Sequence, residues 1–211
     1  MVKLIQGNYI NTIVISKSEF ITRLYRVNSV DEVNAFLVDV RKKHYDASHN
    51  CYAYIIGNNK EIKKSSDDGE PAKTAGAPML DALEKNDVTN ILAVTTRYFG
   101  GILLGASGLV RAYSKSVSEA LLLADFYEIK KEVIFTLNTS YSGYNTLIKA
   151  LTYTKIDNVS FNTDVVIEGT IPIDKKDTFK DDLYKYKIDA LTLVIKGLKD
   201  VEVKIENGEA N

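Results

Sequence analysis

The most constraining feature of this sequence is the stretch from Asn90 to Ala124. It begins with a short apolar run rich in β-branched residues, continues through closely spaced glycines, and ends in a helical pattern. A strand that passes through a glycine-rich loop into a helix points backbone N–H groups and a helix dipole at an anion. We therefore predict an anion-recognition loop, with the helix starting near Gly108. The alternative is that the glycines only allow tight turns and close packing.

Charged and aromatic side chains flank the glycines. Arg97 and Arg111 bracket the loop, and arginine suits phosphate or carboxylate better than lysine does. A second helix, expected at Pro78, would bring another set of free N–H groups. The predicted anion or RNA site consists of Lys73, Thr74, Arg97, Tyr98, Phe99, Gly100, Gly101, Gly105, Ser107, Gly108 and Arg111. A rival prediction is that Arg111 points inward and pairs with an acid of the preceding loop.

Three familiar catalytic motifs nearly match the glycine-rich loop, and each fails at one position. Ala106 stands where a Walker A loop needs its phosphate-binding lysine. Leu109 replaces the last glycine of a nucleophile elbow. No run in this loop spells the dinucleotide fingerprint G-x-G-x-x-G. The loop therefore does not predict a standard nucleotide enzyme, and no cofactor is expected.

The longest stretch without periodicity, residues 65–78, is rich in acidic side chains. Loops of this length inside compact domains are usually functional or disordered. The residues that could support the anion site, or serve a hydrolase instead, are His49, Cys51, Asp67, Asp68 and Glu70. His49 and Cys51 share a face of a predicted strand, but no third orienting residue follows them. Solvated carboxylates are commoner than metal ligands in such loops, so no metal site is expected.

Composition limits the possible classes of protein. The 211 residues suit one large domain or two small ones, and the formal net charge is -1. Any RNA binding must therefore use a local patch of charge. A single cysteine fits a reducing cytoplasm, and no apolar run is long enough to span a membrane.

The hydrophobic pattern restarts at about Tyr127. Residues 132–138 alternate as a strand, residues 142–152 form a helix, and a hairpin follows. Asp174 is expected to cap a second, charged helix, and two strands at residues 190–195 and 201–205 complete the sheet. The order βαββαβ is the ferredoxin-like plan. We predict domains at residues 1–129 and 130–206, with a polar tail at 207–211.

The first 125 residues contain four motifs in a fixed order. They are His49-Asn-Cys-Tyr-Ala53, Ser66-Asp-Asp-Gly-Glu-Pro71, Thr74-Ala-Gly-Ala-Pro-Met-Leu80 and Arg97-Tyr-Phe-Gly-Gly-Ile-Leu-Leu-Gly105. The last motif reads on through Gly-Leu-Val-Arg-Ala-Tyr at residues 108–113. Together they resemble the IMPACT family, most closely its bacterial two-domain branch, the YigZ type.

The resemblance implies an α+β chain with two domains. The N-terminal one would be an α/β sandwich like domain 2 of a small-subunit ribosomal protein. The C-terminal one would be a ferredoxin-like domain similar to the last domain of elongation factor G. Eukaryotic members are linked to control of the amino-acid-starvation kinase through its ribosome-bound activator, which implies a stress response.

Two functional hypotheses follow from the residues and the resemblance. The first is a non-enzymatic, cytoplasmic regulator of translation that binds RNA, the ribosome or a ribosome-associated protein through the Arg/Gly-rich anion site. The second is a hydrolase of small molecules or peptides that uses His49, Cys51 and the acidic loop. No membrane partner is expected, and the oligomeric state is open.

Overall fold

The computed structural model describes residues 2–205, which form two compact units. The first unit comprises the residues up to 128 together with 204 and 205, and the second comprises residues 129–203. The strands are β1 (Lys3–Ile5), β2 (Asn8–Ile15), β3 (Ser18–Arg26), β4 (His49–Ile56), β5 (Ile62–Ser66), β6 (Ile91–Tyr98), β7 (Phe126–Thr139), β8 (Lys155–Phe161), β9 (Val165–Pro172) and β10 (Ala190–Lys204). The helices are α1 (Val30–Lys43), α2 (Gly76–Lys85), α3 (Gly105–Leu122), α4 (Tyr141–Ala150) and α5 (Phe179–Lys185). The predicted polar tail, residues 207–211, lies outside the described residues.

The first unit is a sandwich around an antiparallel sheet of order β2-β3-β6-β4-β5. Strand β6 is central, and seven of its eight residues are buried because both faces of the sheet are covered. Helices α2 and α3 pack on one face through Met79, Leu83 and Val117, among other side chains. Helix α1 packs on the other face through Val33 and Leu37. Residues that alternate along β6 therefore point to two different helical layers.

Local signals explain where several elements begin. Ser29 caps the start of α1, because its hydroxyl accepts a hydrogen bond of 3.2 Å from the Glu32 backbone N–H. Helix α3 begins at Gly105 and not near Gly108, so the predicted start was wrong by one turn. Residues 105–107 are small and exposed, so the apolar periodicity of α3 becomes visible only from Leu109.

The second unit has the element order β7-α4-β8-β9-α5-β10, as the sequence predicts. Strand β7 pairs with β10 and β9, and β9 pairs with β8. Two details of the prediction were wrong. The last strand is continuous from Ala190 to Lys204, and Asp174 lies in a 3-10 turn (Ile173–Lys175), not at the start of α5. No helix within residues 2–205 is long and apolar enough to cross a membrane.

Candidate functional site

A cavity of about 440 Å³ lies at the start of α3. Its walls are mostly apolar, and its few polar side chains come from β4 and the residue before it, from β6 and from the acidic loop. The lining residues are Ser48, His49, Glu70, Pro71, Arg97, Phe99, Leu103, Leu104, Gly105, Ala106 and Leu109. Cavities of this size and composition are typical of ligand sites.

Arg97 is held in the interior by a buried ion pair with Glu70. Its Nη1 donates a hydrogen bond of 2.7 Å to Glu70 Oε1, and the two residues are only 6% and 7% exposed. Its Nη2 donates to the Ser18 hydroxyl at 3.3 Å. The guanidinium lies 5.5 Å from the ring centroids of both Phe20 and Phe99. The positive charge of Arg97 is thus balanced within the protein.

Glu70 also joins the cavity to a buried chain of polar groups. The Tyr113 hydroxyl donates to Glu70 Oε1 at 2.7 Å. The Cys51 thiol lies 3.3 Å from that hydroxyl and 3.0 Å from the Asp67 carbonyl oxygen. Burial raises the pKa of Tyr113 and raises that of the Cys51 thiol to about 12. Both groups are therefore neutral near pH 7, and Cys51 is not a thiolate nucleophile.

His49 stands between the cavity and the acidic loop. Its Nδ1 lies 2.8 Å from the Asp68 carbonyl oxygen, which can only accept, so Nδ1 carries the proton. Its Nε2 is 3.8 Å from Glu70 Oε2, too far for a hydrogen bond. His49 and Cys51 share a face of β4, but within residues 2–205 no hydrogen bond joins them. The geometry therefore does not form the Cys–His pair that the hydrolase hypothesis needs.

The carboxylate of Asp67 caps the start of α2. It accepts backbone N–H bonds from Lys73, Ala75 and Gly76 at 2.8, 3.0 and 2.8 Å. Burial raises the pKa of Asp67, but these three donors outweigh it and lower the pKa below its usual value. The α2 start, which the sequence suggested as an anion site, is thus already filled by an anion of the same chain.

The remaining polar residues of the loop have structural partners. Asp68 accepts from the Asn50 backbone N–H at 2.7 Å and from Arg41 at 3.2 Å. The Thr74 hydroxyl donates to the Pro71 carbonyl oxygen at 2.7 Å. Within residues 2–205, no group of three or more His, Cys, Asp or Glu side chains is arranged to hold a metal ion. The acids of this loop therefore organise the backbone around the cavity.

The start of α3 differs from the start of α2. Among the described residues no side chain accepts a hydrogen bond from its first N–H groups, and Gly105, Ala106 and Ser107 are all exposed. Arg111 is exposed on the same face, one turn after Ser107, and helical side chains lean towards the N-terminus. Within the described part of the chain, the Arg111 side chain makes no ion pair. The rival prediction, an inward Arg111 paired with an acid of the loop, was therefore wrong. The buried arginine that pairs with a loop acid is Arg97, whose partner is Glu70.

The two aromatic residues that follow Arg97 lie in different surroundings. The Tyr98 hydroxyl donates to Asp46 at 3.1 Å and lies 2.9 Å from His44 Nδ1, on the α1 side of the sheet. Burial raises the pKa of Tyr98, and the hydrogen bond to the Asp46 carboxylate raises it further. Phe99 is 49% exposed and lines the cavity. Only Phe99 is therefore placed to contact a ligand there.

The glycine-rich loop packs against the β2–β3 turn. A Cβ atom at Gly100 would lie 2.0 Å from the backbone carbonyl of Lys17, so only glycine fits. Its N–H donates to the Ser18 hydroxyl at 3.2 Å, the same oxygen that Arg97 uses. Gly101 has a left-handed φ of 83°. These glycines shape the loop, which is the packing alternative considered above.

The structure separates the sequence-predicted residues into three groups. The cavity is lined by His49, Glu70, Arg97, Phe99 and Gly105. Cys51, Asp67 and Asp68 lie behind these residues in the supporting network. The remaining members do not line the cavity, and they are Lys73, Thr74, Tyr98, Gly100, Gly101, Ser107, Gly108 and Arg111.

Sequence reasoning missed Tyr113 and Ser18 as polar partners of the site. Tyr113 fits the apolar periodicity of α3 and is completely buried. Its hydroxyl needs a partner when buried, which was the available signal. Ser18 is the first residue of β3 and gave no signal, since its partners Arg97 and Gly100 are about eighty positions away.

Comparison with known proteins agrees with the motifs in this site. The family model described as Impact N-terminal domain matches residues 16–121. The IMPACT family member YvyE of Bacillus subtilis is 45% identical over 161 residues, which cover 72% of this chain and 73% of that protein. The chain belongs to the IMPACT family.

Further family members and a solved structure match most of the chain. The IMPACT family member YigZ of Escherichia coli is 38% identical over 185 residues, covering 85% of this chain and 90% of that protein. A crystal structure of a hypothetical protein is 34% identical, with a TM-score of 0.60, and covers 92% of this chain and 96% of that one. The similarity therefore extends over both units of this IMPACT-family chain.

Proposed function

We propose that this IMPACT-family chain is a non-enzymatic, cytoplasmic regulator of translation that binds the ribosome through an anion site at the start of α3. Family membership supports the link to translation, through the ribosome-bound activator that the resemblance implies for eukaryotic members. The α/β sandwich and the βαββαβ unit support the two ribosome-related folds that the same resemblance implies. The contact would be made by ribosomal RNA or by a ribosome-associated protein.

The observation that carries the proposal is the contrast between two helix starts in one unit. The start of α2 is filled by the Asp67 carboxylate, whereas within residues 2–205 no side chain accepts a hydrogen bond from the first N–H groups of α3. The macrodipole of an α-helix places about half a positive charge at its N-terminus. Arg111 adds a full positive charge on the same exposed face. This arrangement favours an external anion.

The buried Arg97 has a supporting role in the proposed site. Its charge is balanced by Glu70, so it adds little to the attraction of an anion. It holds the glycine-rich loop through Ser18, whose hydroxyl also accepts from the Gly100 N–H. The site therefore depends on Arg111 for charge and on Arg97 for shape.

Co-sedimentation with purified ribosomes over a series of salt concentrations tests the proposal. Arg111→Ala should weaken binding and flatten the salt dependence, by about 0.7–0.9 in the slope of log K against log salt for each phosphate that the variant no longer neutralises. Lys115→Ala is the matched control, since Lys115 lies one turn further along α3 and is already paired with Glu119 at 3.5 Å. An Arg111→Ala protein with unchanged affinity and slope would contradict the proposal.

A further inference from the structure

The lip of the cavity at the start of α3 exposes large apolar side chains. Leu103 is 86% exposed, Phe99 is 49% exposed and Ile102 is 44% exposed. Phe99 and Leu103 also line the cavity, with Pro71 and Leu109 among the other apolar wall residues. A contiguous exposed apolar surface around a cavity marks an interaction site. The lip and walls of this cavity therefore suit an apolar group.

The floor of the cavity is electrically neutral but keeps one unused hydrogen-bond donor. Arg97 and Glu70 neutralise each other, and Tyr113 donates to the same carboxylate. Arg97 is 94% buried, yet its Nε has no hydrogen-bond acceptor within the described residues. Buried donors without an acceptor are rare in proteins. This donor belongs to a residue that lines the cavity, and it marks that wall as a candidate functional surface.

The anion site and the apolar cavity are contiguous. Gly105 and Ala106 line the cavity, and they are also the first two residues of α3. One ligand residue can therefore place an apolar side chain inside and a carboxylate on the helix start. The C-terminal residue of a polypeptide carries both groups on a single Cα atom.

We propose that this cavity binds the C-terminal residue of a partner protein, with its apolar side chain between Phe99 and Leu109 and its α-carboxylate on the N–H groups of the first turn of α3. The inference rests on the anion site of the proposed function and names the class of its partner. The exposed guanidinium of Arg111 balances the second oxygen of the carboxylate. The partner is then a ribosome-associated protein whose chain ends in an apolar residue.

The side chains that line the cavity favour binding of a C-terminal amino-acid residue over binding of an RNA base. Single-stranded RNA is recognised by aromatic stacking and by hydrogen bonds to the base edges. Here Phe99 and His49 are the aromatic side chains among the residues that line the cavity, and most of the other wall residues are aliphatic or small. His49 is already held by the Asp68 carbonyl oxygen at 2.8 Å. The polar side chains Glu70 and Arg97 are largely committed to each other. An aliphatic side chain matches these walls better than a base does.

Titration of the full chain with a hexapeptide, followed by amide NMR, tests the inference. The probe is Gly-Ser-Gly-Ser-Gly-Leu with a free C-terminus, and the comparison is the same peptide with a C-terminal amide. The free peptide should shift the amide signals of residues 105–107, and the amidated peptide should bind at least tenfold more weakly. Equal binding of the two peptides, or no binding of either, would overturn the inference.

Two substitutions and one nucleotide locate the binding. Ala106→Phe should fill the mouth of the cavity and abolish the shifts, whereas Leu122→Phe should preserve them. Both residues are exposed on α3, but Ala106 lines the cavity and Leu122 lies at the far end of the helix. Equal effects of the two substitutions would overturn the inference. Tighter binding of uridine 5′-monophosphate than of the peptide would also overturn it, in favour of RNA.

The inference and the proposed function can fail separately. If ribosome binding depends on Arg111 but the peptide does not bind, the C-terminal partner is wrong and the ribosomal role stands. If the peptide binds as described but ribosomes do not, the role in translation is wrong and the cavity assignment stands.

Discussion

Replacing Arg97 by methionine should strongly destabilise the first unit. The substitution leaves Glu70 buried at 7% exposure, with the Tyr113 hydroxyl as its remaining close donor at 2.7 Å. Removing one partner of a buried ion pair typically costs about 3–5 kcal/mol. For a chain of this size each kcal/mol lost from the free energy of unfolding lowers the melting temperature by roughly 2–4 °C. The melting temperature of Arg97→Met should therefore fall by roughly 6–20 °C.

Urea unfolding followed by circular dichroism gives the free energies for this test. Arg41→Met is the control, because the Arg41–Asp68 pair is 3.2 Å apart but its side chains are 49% and 28% exposed. Such a pair contributes about 0–1 kcal/mol. The double variant Arg97→Met with Glu70→Gln should recover part of the stability, since no unpaired charge remains. A destabilisation below about 1 kcal/mol in Arg97→Met, or strict additivity in the double variant, would refute the reasoning.

Three further predictions follow from the same contacts. Asp67→Ala should lower the free energy of unfolding by about 1–2 kcal/mol at pH 7. Because folding lowers the pKa of Asp67, the stability that its carboxylate contributes is lost as the pH falls below the usual pKa of 3.8. In urea titrations the free energies of unfolding of the variant and the wild type should therefore converge below that pH. Cys51 should react with iodoacetamide at pH 8 roughly 1,000-fold more slowly than an ordinary thiol, because its pKa is about 12 and not 9.0. Intact-mass measurement of the alkylated fraction over time, with and without urea, gives the two reaction rates. The fragment 130–206, expressed alone, should give a dispersed amide NMR spectrum, and a collapsed spectrum would contradict the predicted domain boundary.

Local patterns in the sequence were sufficient for much of the fold. The β-branched run before Arg97 predicts the central strand, since burial on both faces removes any polar alternation. Ser29 and Glu32 predict the start of α1, because the capping interaction involves residues only three positions apart. The restart of the hydrophobic pattern after Tyr127 predicts the βαββαβ order of the second unit. In each case the information lies within one element.

The site depends on contacts between distant parts of the chain, which the patterns do not contain. Arg97 and Tyr98 are neighbours in sequence, yet strand alternation directs them to opposite helical layers. A central strand buried on both faces gives no indication of which layer receives the arginine. The Asp67 cap of α2 spans eight or nine positions, beyond any standard capping motif. The sequence therefore identified residues of the site but not which of them were already paired.

Photo-crosslinking in growing cells tests the central claim, that this protein binds the ribosome at the start of α3. Leu103 at the cavity lip and Leu122 at the far end of α3 are 86% and 82% exposed, so p-benzoylphenylalanine is tolerated equally at both positions. We predict that the Leu103 probe gives crosslinked products that sediment with ribosomes and that the Leu122 probe does not. Ribosomal products from Leu122 alone, or from neither position, would contradict the account.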